Sequence, residues 1–327
     1  MKFTKFQKIE KCDYLRLNFL ISQYSIDKNI DPSLFYNLIN EAYYKFSADL
    51  YSPNYEKILL TTYEKIFKKI PSYFDVIDIG AGTGASYRII NDINYKYNHY
   101  HFIEPSSYMV EKFNYNESES SKLTISIGYL GNVNIPTDKQ SPPRVFLLCA
   151  SLRCMVDLRD FLTNLNLHMR SSDYLLLALE PNNLDTWVSK IQSALDYANL
   201  ALSKINSLFK RNPKNPEIHL DHLDKSLVYL KQSNVVKNNF TKEILYYIIY
   251  YQNFHLAKKL CIPEEFSEGF YTFEDVEEIT NSKILIEIPQ SFFTYGNFRF
   301  LSKFTEPLLK GLVPSKATYK TILLKKS

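Results

Sequence analysis

The sequence predicts an α/β fold, a mostly parallel sheet with helices on both faces. Three observations carry that expectation. Between residues 74 and 180, short apolar runs rich in β-branched residues alternate with longer amphipathic segments. The first of those runs, Phe74–Ile79, leads into Gly80-Ala81-Gly82-Thr83-Gly84-Ala85, which reads as a strand, a tight turn and a helix N-terminus. After a long helical interruption, Ile284–Ile288 and Tyr319–Leu324 return to the strand pattern.

Residues 1–73 read as helical. Asp31-Pro32 places a capping acid before a proline at the first helical position, and Phe35, Leu38, Ala42 and Phe46 follow at helical spacing. Ser52-Pro53 repeats the start signal ahead of Tyr55, Leu59, Ile66 and Ile70, and Pro71 is expected to end that helix. Strands are predicted over 74–79, 99–103, 123–127, 144–149 and 174–179. A helix is predicted over 157–169, with Leu158, Phe161, Leu162, Leu165 and Leu167 as its apolar residues. Residues 183–270 break the alternation. Their helical periods cover Leu184–Phe209, Leu220–Leu230 and Thr241–Leu260, too long for a simple crossover, and read as an inserted helical cap. Thr272-Phe273-Glu274-Asp275 has the form of a capping box. The strand over 284–288, a helix over 300–312 and a last strand over 319–324 complete the expectation. Three parts follow from it. Residues 1–73 form a helical segment covering the ligand site, 74–182 with 271–327 form the α/β core, and 183–270 form a substrate cap.

With 45% hydrophobic residues the chain can bury a sizeable core, and a net charge of +4 without a block of five like charges gives no reason to expect a nucleic-acid partner. Cys12, Cys149, Cys154 and Cys261 lack C-x-x-C spacing, which suggests free thiols in a reducing compartment. The N-terminal residues lack the apolar centre of a signal peptide, and the apolar runs are too short to span a bilayer. A cytoplasmic protein without a membrane partner is expected. His219 and His222 share a helix face with Asp221 and Asp224 nearby, but no third ligand is evident, so a polar helix face is expected and no metal.

The glycine run fits the dinucleotide pattern G-x-G-x-x-G/A, with Ala85 last. Asp78, two residues before the first glycine, decides between ligands. A carboxylate at the strand tip repels a pyrophosphate and attracts an ammonium or sulfonium. Opposed charges about 4 Å apart at an effective dielectric near 20 attract by roughly 4 kcal/mol before desolvation. Glu104 lies twenty residues past Gly84 at the end of the second run, where an acid binds ribose hydroxyls in doubly wound sheets.

Asp78-Ile79-Gly80-Ala81-Gly82-Thr83-Gly84, followed by Glu104-Pro105-Ser106 with Met109 five residues on from the acid, resembles the motifs of class I S-adenosylmethionine-dependent methyltransferases. The resemblance covers residues 74–180 well and 272–327 loosely. It implies a Rossmann-like seven-stranded sheet with an antiparallel last strand, and S-adenosyl-L-methionine as cofactor. It places Asp78, Gly80, Ala81, Gly82, Gly84, Glu104, Pro105, Ser106, Tyr129 and Ser151 around that cofactor. Where the family often has an acid after the third strand, this chain reads Gly128-Tyr129-Leu130-Gly131-Asn132, so Tyr129 becomes the candidate to stack on the base. Glu-Pro-Ser at 104–106 together with the cap resembles small-amine N-methyltransferases. The expected activity is therefore methyl transfer to a nitrogen or oxygen of a small molecule enclosed by the cap. A protein or peptide acceptor and a non-catalytic binding scaffold are the alternatives. A nicotinamide enzyme would need a second βαβαβ half, which the chain lacks. Tyr51, Tyr55, Glu180, Asn182 and Trp187 are the substrate-pocket candidates, and Tyr43 and Tyr44 could also face the site. The residues single out no catalytic base.

Overall fold

The computed structural model describes residues 5–48, 53–115, 117–133, 135, 142–152, 155, 158–181, 218–249, 259–262, 272–290 and 319–327. They fall into two compact units. One comprises 1–50, 182–271 and 290–318, and the other 51–181, 272–289 and 319–327.

The second unit holds the sheet. Its elements are α3 (Pro53–Phe67), β1 (Asp75–Ile79), α4 (Ala85–Asp92), β2 (Tyr100–Glu104), the single turn α5 (Ser107–Val110), β3 (Leu123–Ile127), β4 (Arg144–Cys149), α6 (Leu158–His168), β5 (Tyr174–Pro181), α9 (Phe273–Thr280), β6 (Ser282–Gln290) and β7 (Tyr319–Lys326). The sheet has seven strands in the order β3-β2-β1-β4-β5-β7-β6. The pairs β1–β2, β1–β4, β2–β3 and β4–β5 are parallel, and β7 runs antiparallel to β5. This is the Rossmann-like sheet of the class I S-adenosylmethionine-dependent methyltransferase fold. The chain reverses its direction of travel across the sheet between β1 and β4. In open parallel sheets, the crevice beyond the strand tips at such a reversal is where ligands bind.

Burial follows position in the sheet. All residues of β1 and β2 are buried, as strands covered on both faces should be. The edge strand β3 instead leaves Ile125 and Ile127 exposed. At the amino ends of β4 and β5, Arg144 and Asp173 are fully buried and paired. The Arg144 Nε and Nη2 donate to Asp173 Oδ2 at 3.0 and 2.7 Å, and Nη2 also donates to the His168 carbonyl. The backbone N–H groups of Arg144 and Arg170 donate to the same carboxylate at 2.9 and 2.8 Å.

Several predicted boundaries and faces shift. α3 ends at Phe67, short of Pro71, and closes in tighter turns in which Lys69 and Ile70 N–H donate to the Ile66 and Phe67 carbonyls. In α6, Leu158, Leu162 and Leu165 are buried, but Leu167 is 78% exposed. Leu167 lies about 200° round the helix from Leu165, off the packed face. The predicted capping box at Thr272 is present, with Thr272 Oγ1 accepting from Asp275 N–H and Asp275 Oδ2 accepting from Thr272 N–H.

The first unit contains α1 (Lys5–Tyr24), α2 (Pro32–Ser47), α7 (Ile218–Gln232) and α8 (Lys242–Ile249). Asp31 caps α2 by accepting from the N–H groups of Ser33 and Leu34. The buried stripe of α2 is Phe35, Ile39, Ala42 and Tyr43, with Leu38 on the outer side, which corrects the predicted stripe by one residue. Tyr43 therefore belongs to the core of this unit. α2 packs on α7 through Phe46 and Tyr229, with the Lys45 ammonium over the Tyr229 ring at 4.2 Å. The helix predicted over 241–260 is described for 242–249 only. Those over 184–209 and 300–312 lie outside the described residues. Among the described residues, no helix is long and apolar enough to cross a membrane, and no group of three or more acidic, histidine or cysteine side chains could hold a metal.

Candidate functional site

The turn after β1 has three glycines in the left-handed region, Gly80 at φ +67°, Gly82 at +60° and Gly84 at +82°. The outer two are also needed for packing. A Cβ on Gly80 would stand 2.8 Å from the Ser151 Cβ at the tip of β4. One on Gly84 would stand 2.2 Å from the ring of Phe113, which itself stacks on Phe102 at 4.2 Å. Gly82 is different: among the described residues nothing lies within 4 Å of where its Cβ would be. The turn thus presents an open face at its centre.

Glu104, the last residue of β2, reaches back to that centre. Its Oε2 accepts from Gly82 N–H and its Oε1 from Ser106 N–H, both at 2.8 Å. Gly80 and Ala81 donate their N–H groups to the Ile103 carbonyl at 2.9 and 3.1 Å, which fixes the turn on the end of β2. Glu104 and Ser106 are buried, and the Ser106 hydroxyl has no hydrogen-bond partner among the described residues.

Asp78 lies beneath the turn, completely buried. Its Oδ2 accepts from the Tyr100 hydroxyl at 2.6 Å, while Oδ1 has no partner among the described residues. Burial pushes its carboxyl up to about 7. The Tyr100 hydrogen bond opposes that rise and the nearby Glu104 adds to it. On the other side Tyr63 of α3 and Ser86 of α4 join hydroxyls at 2.9 Å next to the Cys149 thiol, which burial, with Asp78 and Glu180 behind it, pushes up to about 12. Cys149 is thus held as a neutral thiol, without the thiolate character of a nucleophile.

The tips of β4 and β5 are shaped by unusual backbone. Ala150 and Leu179 both sit at φ +55°, a conformation that non-glycine residues adopt at a cost and that concentrates at ligand sites. Ser151 donates its hydroxyl to the Ile79 carbonyl at 2.9 Å, which ties β4 to β1. A bulge in the β5–β7 pairing precedes Glu180, whose buried carboxylate accepts from Leu152 N–H at 3.1 Å. Tyr129 follows β3, half exposed, after Gly128 donates to the Glu104 carbonyl at 3.1 Å.

The structure therefore gathers Asp78, the glycine turn, Glu104-Pro105-Ser106, Tyr129, Ser151 and Glu180 at the carboxyl ends of five neighbouring strands. Tyr51, Asn182 and Trp187 lie outside the described residues. Tyr55 is in α3, but its side chain is not described. Reading the residues alone missed Tyr100 and Tyr63. The signal for Tyr100 was available in principle, because it lies two residues before Phe102, the residue paired with Asp78. Side chains two apart on a strand share a face.

No protein-family profile and no curated protein matches the chain. Among solved structures it is similar to a S-adenosylmethionine-dependent methyltransferase from Leishmania major, at 9% identity over 89% of this chain and 83% of that one, with a TM-score of 0.45. It is also similar to one from Anabaena variabilis, at 8% identity over 91% and 96%, TM-score 0.46. A third is the plantazolicin methyltransferase BpumL in complex with S-adenosylhomocysteine, at 13% identity over 99% and 98%, TM-score 0.41. All three TM-scores lie below 0.5, and the fold assignment stands on the strand order above.

Proposed function

We propose that the protein is a S-adenosylmethionine-dependent methyltransferase whose methyl donor lies on the glycine turn between Asp78 and Glu104. The observation that supports it best is the Glu104 carboxylate. Each oxygen accepts one backbone N–H, which holds the carboxylate as a two-oxygen acceptor at the centre of the glycine turn, where two neighbouring sugar hydroxyls would meet it. Asp78 Oδ1 and Ser106 Oγ, buried and unpartnered among the described residues, fit with the open face at Gly82 a ligand that carries a cation and hydroxyls. Two neighbouring carboxylates, with no cationic side chain beside Asp78 among the described residues, suit a pyrophosphate poorly.

In this reading Asp78 holds the cationic end of the ligand, Glu104 the ribose and Tyr129 the base. Bound there, the sulfonium supplies an electrophilic methyl group for in-line displacement by a nitrogen or oxygen. The chain contributes alignment and a dry surround, since Asp78, Glu104 and Ser106 are all buried. We favour a small molecule as the acceptor, with Glu180 and Tyr55 as candidate residues of its pocket. The test is calorimetric titration with S-adenosylhomocysteine and, separately, with NAD. Saturable binding of the first and none of the second supports the reading, and the reverse overturns it.

Gly82→Val is expected to fold, because none of the described residues obstructs the new side chain. It should lose roughly 1–2 kcal/mol of stability to its positive φ. Its side chain fills the open face, so S-adenosylhomocysteine binding should be lost. Thermal unfolding and calorimetry together check both halves.

Asp78→Asn should act in two opposite ways. In the folded chain Asp78 keeps its proton up to about pH 7, while the unfolded chain releases it near its ordinary value. Between those limits the native state binds more protons, so stability falls as pH rises. Asparagine removes that loss, and unfolding at pH 8 should be harder by roughly 2 kcal/mol. Affinity for S-adenosylhomocysteine should fall at least about tenfold with the anion gone. Denaturant melts at pH 5 and 8, with a titration at pH 8, test this.

A further inference from the structure

Asp78 is a completely buried acid that shares its pocket with no cationic side chain among the described residues. The groups facing it are Tyr100 and Glu104 from β2, Tyr63 from α3 and the Cys149 thiol from β4. Of these, only Tyr100 donates a hydrogen bond to it, at 2.6 Å to Oδ2. Glu104 opposes its ionisation, and the Tyr63 hydroxyl is engaged with Ser86. The Tyr100 ring is itself clamped edge-on by Tyr87 of α4 at 5.1 Å and by Tyr97 at 5.6 Å. The hydroxyl therefore has a fixed direction. It occupies one carboxylate oxygen and leaves Oδ1 for something else.

We propose that Tyr100 is a positioning residue of the methyl-donor site: its hydroxyl holds Asp78 by Oδ2, favours the carboxylate form, and turns the unpartnered Oδ1 towards the cationic end of the ligand. This rests on the donor-site reading above. Two consequences follow. Ligand binding draws Asp78 fully into its ionised form, so a proton leaves the protein when the ligand binds near neutral pH, and affinity rises with pH until Asp78 is already ionised in the free protein. Without the Tyr100 hydroxyl, the free carboxyl holds its proton to higher pH, because a hydrogen bond to the anion has been lost.

The experiment uses the full chain and its Tyr100→Phe variant, which keeps the clamped ring. Calorimetry with S-adenosylhomocysteine is run across a pH series, with proton release read from buffers of different ionisation enthalpy. In parallel, the Asp78 carboxyl of the ligand-free protein is titrated by 13C chemical shift, its signal assigned with Asp78→Asn. The expected result is a binding profile moved up by about one pH unit in Tyr100→Phe, with binding about tenfold weaker at pH 6 and about fivefold weaker at pH 7, and convergence with wild type by about pH 9. The ligand-free titration should move the same way. A profile unchanged in Tyr100→Phe overturns the proposal, as does a loss equal at every pH, which would mark a purely structural ring. If Tyr100→Phe fails to fold, 3-fluorotyrosine at position 100, a stronger donor, should move both midpoints down, and an unmoved midpoint overturns the proposal. If wild type binds no S-adenosylhomocysteine at any pH, the donor-site reading fails, while the ligand-free titration still decides whether Tyr100 governs Asp78.

Discussion

Replacing Glu104 by alanine is expected to abolish binding of S-adenosylhomocysteine while the chain still unfolds cooperatively. The carboxylate has two tasks. It fastens the glycine turn to β2 by accepting the N–H groups of Gly82 and Ser106, each at 2.8 Å. In the proposed complex it also accepts the sugar hydroxyls. Charge-assisted bonds of this kind are worth roughly 1.5–3 kcal/mol each. Losing them together should weaken binding by about 4 kcal/mol, or close to a thousandfold. The fold is less affected, because Gly80 and Ala81 remain bonded to the Ile103 carbonyl. Stability should drop by roughly 1–2 kcal/mol for the two amides left without their acceptor. Glu104→Gln should be intermediate, since an amide offers one acceptor oxygen where the turn uses two. Titration calorimetry with a parallel urea melt separates the two effects. Near-normal affinity in Glu104→Ala would place the ligand elsewhere.

The second large effect lies at the opposite end of the strands. Asp173→Ala leaves the Arg144 guanidinium, 1% exposed, without its counter-ion. It also takes the acceptor from the backbone N–H groups of Arg144 and Arg170. Removing one partner of a buried ion pair costs about 3–5 kcal/mol. That is a large fraction of the roughly 5–15 kcal/mol by which a domain is stable. The cluster joins the starts of β4 and β5, and Lys326 N–H at the end of β7 donates to the Asp173 carbonyl at 3.0 Å. The loss should therefore appear as global unfolding and not as local fraying. Where the variant remains folded, its affinity for S-adenosylhomocysteine should match wild type. Equilibrium urea unfolding checks the first statement and calorimetry at low temperature the second. Together with Glu104→Ala it forms a pair, one change removing binding but not the fold, the other weakening the fold but not binding.

The features legible in the sequence are those encoded within a few residues. Asp31-Pro32 and Thr272–Asp275 specify helix starts by local hydrogen bonds, and both caps are present. The glycines after β1 needed only the strand and turn around them to be read, and Glu104 needed only its distance from them. What was not legible depends on partners far apart in the chain. Arg144 meets Asp173 across 29 residues, and Tyr63 meets Ser86 across 23. Neither spacing carries a pattern. Leu38 and Ile39 are both apolar, so periodicity could not choose between them, and contact with the rest of the helical unit buries Ile39. The left-handed backbone at Ala150 and Leu179 could not be foreseen, because neither residue type asks for it. The Tyr100–Asp78 bond is an intermediate case, since the shared strand face was readable but the reach of the hydroxyl was not.

The account turns on where the nucleoside of the methyl donor lies. A crystal structure of the chain soaked with S-adenosylhomocysteine tests this directly. It should show both ribose hydroxyls on the Glu104 carboxylate, the ligand's ammonium beside Asp78 Oδ1, and the open face of Gly82 covered. Density for the ligand at any other place, or an empty glycine turn at saturating concentration, would contradict it.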